Sequence, residues 1–173
     1  KLIEVEALRY EYLTGIRAQQ GSGNTNNSVR IVVIGEYRGP VTDQMLKTLE
    51  SAVVENQLDV KCKFKPHPNY SVDAEKWQSI GLEVIDRPLR SFLDQVDLAV
   101  ASSGSSAVVD AYMAGVPVAV YRPPNELPLT DLLGQNGVFV AATEREMLKA
   151  ITNGVSAKLK ERKPTEFFYL DPD

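Results

Sequence analysis

Cysteine occurs once in the 173 residues, as Cys62, and histidine once, as His67. A single thiol excludes an internal disulfide and a metal site built on thiolates. Cys62 sits in the alternation Val60-Lys61-Cys62-Lys63-Phe64 and reads as a plain strand residue, a usage that suits the cytosol. No apolar run approaches the roughly 20 residues that a membrane-spanning helix needs. No signal peptide is visible and the first residue is Lys1 rather than Met, so a piece of a longer protein is expected. Lys and Arg number 19 against 23 Asp and Glu, a net charge of -4. That balance speaks against nucleic acid as a partner, because non-specific binding relies on a basic surface. Also missing is a G-x-G-x-x-G run after the first strand. The segment there is Gly35-Glu36-Tyr37-Arg38-Gly39-Pro40, which argues against bound NAD or FAD.

What is present is an ordinary globular balance, 43% hydrophobic and 24% charged, enough for one domain with a sizeable core. Residues 1–28 stand apart. Val5, Leu8 and Tyr12 have helical spacing, and the Gly-, Ser- and Asn-rich stretch from Gln19 to Ser28 reads as a flexible linker. Residues 29–173 then alternate strands with helices. The strands expected are Val29–Ile34, Asp59–Phe64, Leu82–Ile85, Asp97–Ala101, Pro117–Tyr121 and Val138–Ala141. Helices are expected after Pro40 (Met45, Leu49, Ala52 and Val53 on one face), over Val72–Ser79 and Pro88–Gln95, and between Ser106 and Gly115. Others are expected near Thr130–Leu133, and from Glu144 to Thr152 with Thr143 and Glu146 as a capping box. A basic helix, Ser156–Lys163, is read as a solvated face or a membrane-surface contact. Phe167 and Phe168 read as cover for a seam with another domain. The strands are apolar runs rather than alternations. They imply an α/β fold: a Rossmann-like, doubly wound parallel sheet of about six strands with helices on both faces.

In such sheets ligands bind beyond the carboxyl ends of the strands, at the point where strand order reverses. Three marked loops fall at those ends: Gly35 to Gly39, Lys65 to Tyr70, and Ser102 to Ser106. In the third, Ser102-Ser103-Gly104-Ser105-Ser106 lets a ligand approach the backbone, and the following helix offers free N–H groups to an anion. The same serines also suit simple helix capping, by Ser105 or Ser106. Asp110, one turn on from Ser106, is placed to accept hydrogen bonds from a ribose. His67, enclosed by Pro66 and Pro68, reads as a phosphate donor or an acid–base group, or as a capping histidine. Lys65 and Arg38 read as phosphate-neutralising groups or as solvated loop cations.

The segment Asp110-Ala111-Tyr112-Met113-Ala114-Gly115-Val116-Pro117 resembles the donor-binding, carboxyl-terminal half of GT-B glycosyltransferases, in which an acidic residue is followed by Ala-x-x-x-Gly-x-Pro. Asp110 stands where that family usually has Glu, and Ser102 where retaining members often carry a second Glu. The pairs His67-Pro68 and Ser102-Ser103 are similar to motifs of bacterial sialyl-, Kdo- and CDP-glycerol-type transferases. The chain also resembles the end of bacterial surface carbohydrate biosynthesis proteins, through Glu6-Ala7-Leu8-Arg9-Tyr10 and Phe167-Phe168-Tyr169-Leu170-Asp171-Pro172. The resemblance implies a cytoplasmic enzyme that takes a nucleotide-sugar, linked to CMP or CDP with UDP as the alternative, and uses no metal or other cofactor. It implies donor contacts from Gly35, Arg38, Lys65, His67, Pro68, Ser102, Ser103, Gly104, Ser105, Ser106 and Asp110. It places the catalytic base in an amino-terminal acceptor domain, so this chain alone is expected to bind and not to turn over. Half of a nucleotide-sugar 2-epimerase and a non-catalytic nucleotide-binding or scaffold module remain the other readings.

Overall fold

The computed structural model describes residues 28–127 and 129–157. The amino-terminal helix, nearly all of the linker, the basic residues of 158–163 and the Phe167–Leu170 segment lie outside the described residues. Six strands form one sheet: β1 (Val29–Ile34), β2 (Val60–Lys65), β3 (Glu83–Val84), β4 (Leu98–Ser102), β5 (Val118–Tyr121) and β6 (Val138–Ala141). Their order is β3-β2-β1-β4-β5-β6, and every pairing is parallel. Parallel strands covered on both faces have no polar side to show to water. This is why Ile31, Val32 and Val33 in β1 and Leu98, Ala99, Val100 and Ala101 in β4 are all 0% exposed.

Helix α1 (Gly39–Glu55) and helix α3 (Glu144–Ser156) cover one face. Pro40 sits in the first turn of α1, where its missing N–H is no loss. The spacing of Val41, Met45, Leu46, Leu49, Ala52 and Val53 then makes one buried stripe. Met45, Leu46 and Leu49 are 0% exposed, and burial of each stabilises by about 1.5–3 kcal/mol. The capping box of α3 is formed as read: Thr143 Oγ1 accepts from the Glu146 N–H, and Glu146 Oε2 accepts from the Thr143 N–H. Helix α2 (Ala107–Met113) covers the other face with Val108, Ala111, Tyr112 and Met113. It stops in a Schellman motif. The Val116 N–H donates to Ala111 O at 3.1 Å and the Gly115 N–H to Tyr112 O at 3.0 Å, with Gly115 at φ 83°.

Several elements differ from the expectation. Pro88–Gln95 is two short 3-10 turns, Leu89–Ser91 and Leu93–Gln95, rather than a helix. The chain breaks at Phe92 (φ -146°, ψ 9°), between the two turns, and Phe92 and Leu93 are both 0% exposed in the core on the α2 face. The segment near Thr130–Leu133 is a turn. Only Leu132 is buried there, while Leu129 and Leu133 are exposed, so no apolar stripe supports a helix. Thr130 Oγ1 instead takes the Leu132 N–H, a local bond that competes with helix formation. The expected third strand shrinks to two exposed residues, and Ala74–Ile80 is 3-10 with a kink at Trp77.

Where β1 and β4 begin, Asp97 ties them together. Its Oδ2 accepts from the Arg30 N–H and Nε, and its Oδ1 from an Arg30 terminal nitrogen at 2.6 Å. Burial works against the Asp97 charge, but the Arg30 bonds outweigh it and hold the carboxyl below its ordinary pKa.

Candidate functional site

Strand order reverses between β1 and β4, so the loops leaving these strands diverge and open a crevice at the carboxyl edge. The β1 loop begins at Gly35, whose N–H donates to Lys65 O at 2.9 Å. A Cβ at Gly35 would meet Phe64 Cζ at 2.9 Å and the His67 nitrogen at 3.1 Å, so only glycine lets the β1 and β2 loops lie this close. Glu36 follows and is buried, 2% exposed. Its N–H donates to Thr42 Oγ1 at 3.0 Å, which fixes the loop to the first turn of α1. One Glu36 carboxylate oxygen accepts from Arg38 Nε and the other from Ser102 Oγ, so this side chain crosslinks the β1 and β4 loops. Arg38 also donates its two terminal nitrogens to the Glu126 carboxylate, at 3.0 and 3.2 Å. The bonds to Glu36 first, and then to Glu126, hold the guanidinium pKa above its ordinary value.

The β2 loop is shaped by Pro66 and Pro68 and by local bonds. The Tyr70 N–H donates to His67 O at 2.9 Å, and the Tyr70 hydroxyl donates to Asp43 Oδ1 at 2.7 Å, anchoring the loop to α1. Burial, helped by Asp43, pushes the Tyr70 phenol up to about 12. His67 Nδ1 accepts the Asn69 N–H at 3.2 Å, so the neutral ring carries its proton on Nε2. The ring meets Tyr37 edge-on, with centroids 6.3 Å apart.

In the β4 loop, Ser102 and Ser103 are buried. The Ser103 N–H donates to Tyr121 O at 2.8 Å, and the Ser105 N–H to Ser102 O at 3.1 Å. Ser103 Oγ makes no hydrogen bond among the described residues. Ser106 occupies the N-cap position of α2, but no side-chain bond caps this helix. Its backbone is already helical (φ -68°, ψ -20°), outside the extended geometry from which a cap hydroxyl reaches the first-turn amides.

These loops enclose a cleft of ≈ 410 Å³, lined by residues 34–37, 65–68 and 104–107 with Leu89 and Asp110. The size is that of a small-molecule site. Of the residues singled out in the sequence, Gly35, Lys65, His67, Pro68, Gly104, Ser105, Ser106 and Asp110 line it. Ser102 and Ser103 lie buried outside the lining, and Arg38 is held beside it by Glu36 and Glu126. Glu36, Tyr37 and Leu89 line the cleft without having been singled out. The signal for Glu36 was its place directly after a strand-ending glycine, two residues before an arginine. Among the described residues no group of three or more His, Cys, Asp or Glu is placed to hold a metal ion. No described helix is long and apolar enough to cross a membrane.

No protein-family profile matches the sequence, and no curated protein matches it. Solved structures do. MurG of Acinetobacter baumannii superposes with a TM-score of 0.54 at 15% identity, over 75% of this chain and 42% of MurG. TarM superposes with a TM-score of 0.54 at 14% identity, over 81% of this chain and 31% of TarM. Both are GT-B glycosyltransferases, and the likeness is one of fold. The chain spans less than half the length of either.

Proposed function

We propose that the chain is the donor-binding half of a GT-B-type glycosyltransferase, and that its cleft holds a nucleotide-sugar. One observation carries this reading. Loops separated by some 70 residues of sequence, after β1, β2 and β4, converge on one cleft beside the β1–β4 reversal point, where doubly wound sheets bind nucleotides. Glycosyl transfer breaks the bond between the sugar's anomeric carbon and a phosphate oxygen, and negative charge grows on the departing phosphate. Lys65 and the Nε2 proton of His67 are the groups that stabilise that charge. Ser105 and Ser106 add hydroxyl donors around it. Asp110, on the lining one turn into α2, accepts from a ribose hydroxyl. The base that takes the acceptor's proton belongs to a second domain outside this chain. The biosynthesis of a bacterial surface polysaccharide, in the cytoplasm, is the setting that the sequence resemblance favours.

Calorimetric titration with CMP, CDP, UDP and GDP tests the reading, repeated on His67→Ala and Asp110→Asn. One cytidine nucleotide is expected to bind selectively, and each substitution to weaken it about tenfold, the usual worth of a lost charged hydrogen bond. Selective UDP binding moves the donor class to UDP-sugars. Failure of every nucleotide to bind at millimolar concentration, or indifference to both substitutions, removes the reading.

A further inference from the structure

Two cations stand near the polar end of the cleft, and they are not equivalent. Lys65 lines the cleft and forms no ion pair among the described residues. Arg38 has Nε on Glu36 and both terminal nitrogens on Glu126. Two parallel N–H···O bonds from one guanidinium to one anion are the geometry in which arginine grips phosphate. Glu126 therefore occupies the face of Arg38 that a phosphate would need. Arg38 is close enough for this to matter. One of its terminal nitrogens lies 3.7 Å from where a Cβ would stand on Gly104, and Gly104 lines the cleft.

Glu126 is not a loosely waving side chain. It comes from the loop after β5, which turns at Asn125 with φ 67°. Its N–H donates to Pro123 O at 3.2 Å, and its carbonyl accepts from an Arg122 terminal nitrogen at 3.3 Å. The loop thus presents the carboxylate to Arg38 from a strand two places across the sheet from β1. With Arg38 satisfied by two carboxylates and Asp110 also on the lining, Lys65 is the one cation left unpaired around the cleft among the described residues.

We propose that Glu126 determines the phosphate specificity of the site: by holding Arg38 it tunes the cleft to a donor joined through one phosphate rather than through a diphosphate. This rests on the nucleotide-binding reading above. With Lys65 engaged by the first phosphate, a second adds negative charge beside Glu36 and Asp110 with no further lysine or arginine on the lining to meet it. It gains Arg38 only by displacing Glu126, whose carboxylate must then return to water.

The test is calorimetric titration of the 173-residue chain with CMP and CDP, wild type against Glu126→Gln. The wild type is expected to bind CMP at least as tightly as CDP. In Glu126→Gln, which keeps the side chain's size and removes its charge, the CDP-to-CMP affinity ratio is expected to rise about tenfold. Adding Arg38→Leu to that variant is expected to cancel the rise, which a merely structural role for Glu126 would not do. Should Glu126→Gln fail to fold, as read by thermal melting, Glu126→Asp is read the same way, since its shorter reach breaks the two-bond grip. An unchanged ratio, or a wild type that prefers CDP tenfold, overturns this proposal and leaves nucleotide binding standing. Failure of both nucleotides to bind either protein overturns the nucleotide reading and this proposal with it.

Discussion

Replacing Glu36 tests the architecture of the cleft most directly. Its side chain is 1% exposed and accepts one hydrogen bond from a guanidinium and one from a hydroxyl. Glu36→Gln preserves volume but puts an amide where a carboxylate stood. One side-chain atom now donates, and facing Arg38 Nε it would set donor against donor. Facing Ser102 it forces that hydroxyl to turn and accept. In either orientation the charge-assisted bond weakens or goes, and hydrogen bonds to charged groups contribute about 1.5–3 kcal/mol. Arg38 is 30% exposed and keeps Glu126, so water and the second carboxylate absorb part of the loss. The expected cost is therefore about 1.5 kcal/mol for Glu36→Gln, near the bottom of that range. Glu36→Ala adds a cavity and leaves Ser102 unpaired, for about 3 kcal/mol. Urea unfolding at pH 7 reads both, with fluorescence of Trp77 as the signal. For a chain of this size the same losses lower the melting temperature by roughly 2–4 °C per kcal/mol. If Glu36→Gln costs less than about 0.5 kcal/mol, the inter-loop crosslink is not holding the site together and the reasoning fails.

Gly35→Ala is expected to destabilise by about 1–3 kcal/mol through the clash with Phe64, and to weaken CMP binding by pushing the His67 loop outward; denaturant melts and titration check it, and unchanged values in both would refute the close-approach argument. Asp97 has a folded pKa below its ordinary 3.8, so its contribution is complete above about pH 5 and is lost as pH falls through the lowered value. Urea midpoints measured from pH 7 down to pH 3 should therefore fall more steeply for the wild type than for Asp97→Asn, and parallel curves would refute the linkage. Cys62 is buried, and burial pushes its thiol up to about 12, so a disulfide reagent at pH 8 should label it only at the rate of unfolding. Rapid stoichiometric labelling of the native chain would contradict its place in the core.

The parts of this molecule that were legible in its sequence are those settled by neighbours along the chain. β1 and β6 fall on Val29–Ile34 and Val138–Ala141 as read, because each is an apolar run closed by a turn. The α3 capping box and the α2 stop at Gly115 were legible because both motifs are complete within a few residues. The convergence of the three loops was legible too, since a parallel doubly wound sheet leaves one edge for them. What was not legible depends on contacts made far along the chain. The chain breaks at Phe92, which is buried with Leu93 in one cluster with residues of β1, β4 and β5, and the two-residue β3 pairs with one neighbour, β2. The charged side chains make the same point most sharply. In the sequence Arg38 reads as a phosphate-neutralising group or a solvated loop cation, and Glu36 has no assigned role. Yet Glu36 bonds to Ser102, 66 residues on, and Arg38 to Glu126, 88 residues on. The sequence reading offered Arg38 to the ligand's phosphate, and the fold offers it two carboxylates first. Backbone geometry thus decides that these loops form a cleft, whereas the long-range pairing of its charges decides how much positive charge is left for an anion. The second quantity exists only once β4 and β5 are in place beside β1. A mutation at Glu126 in the β5 loop, remote in sequence from every cleft-lining residue of the β1 and β2 loops, is therefore expected to change the charge beside the cleft.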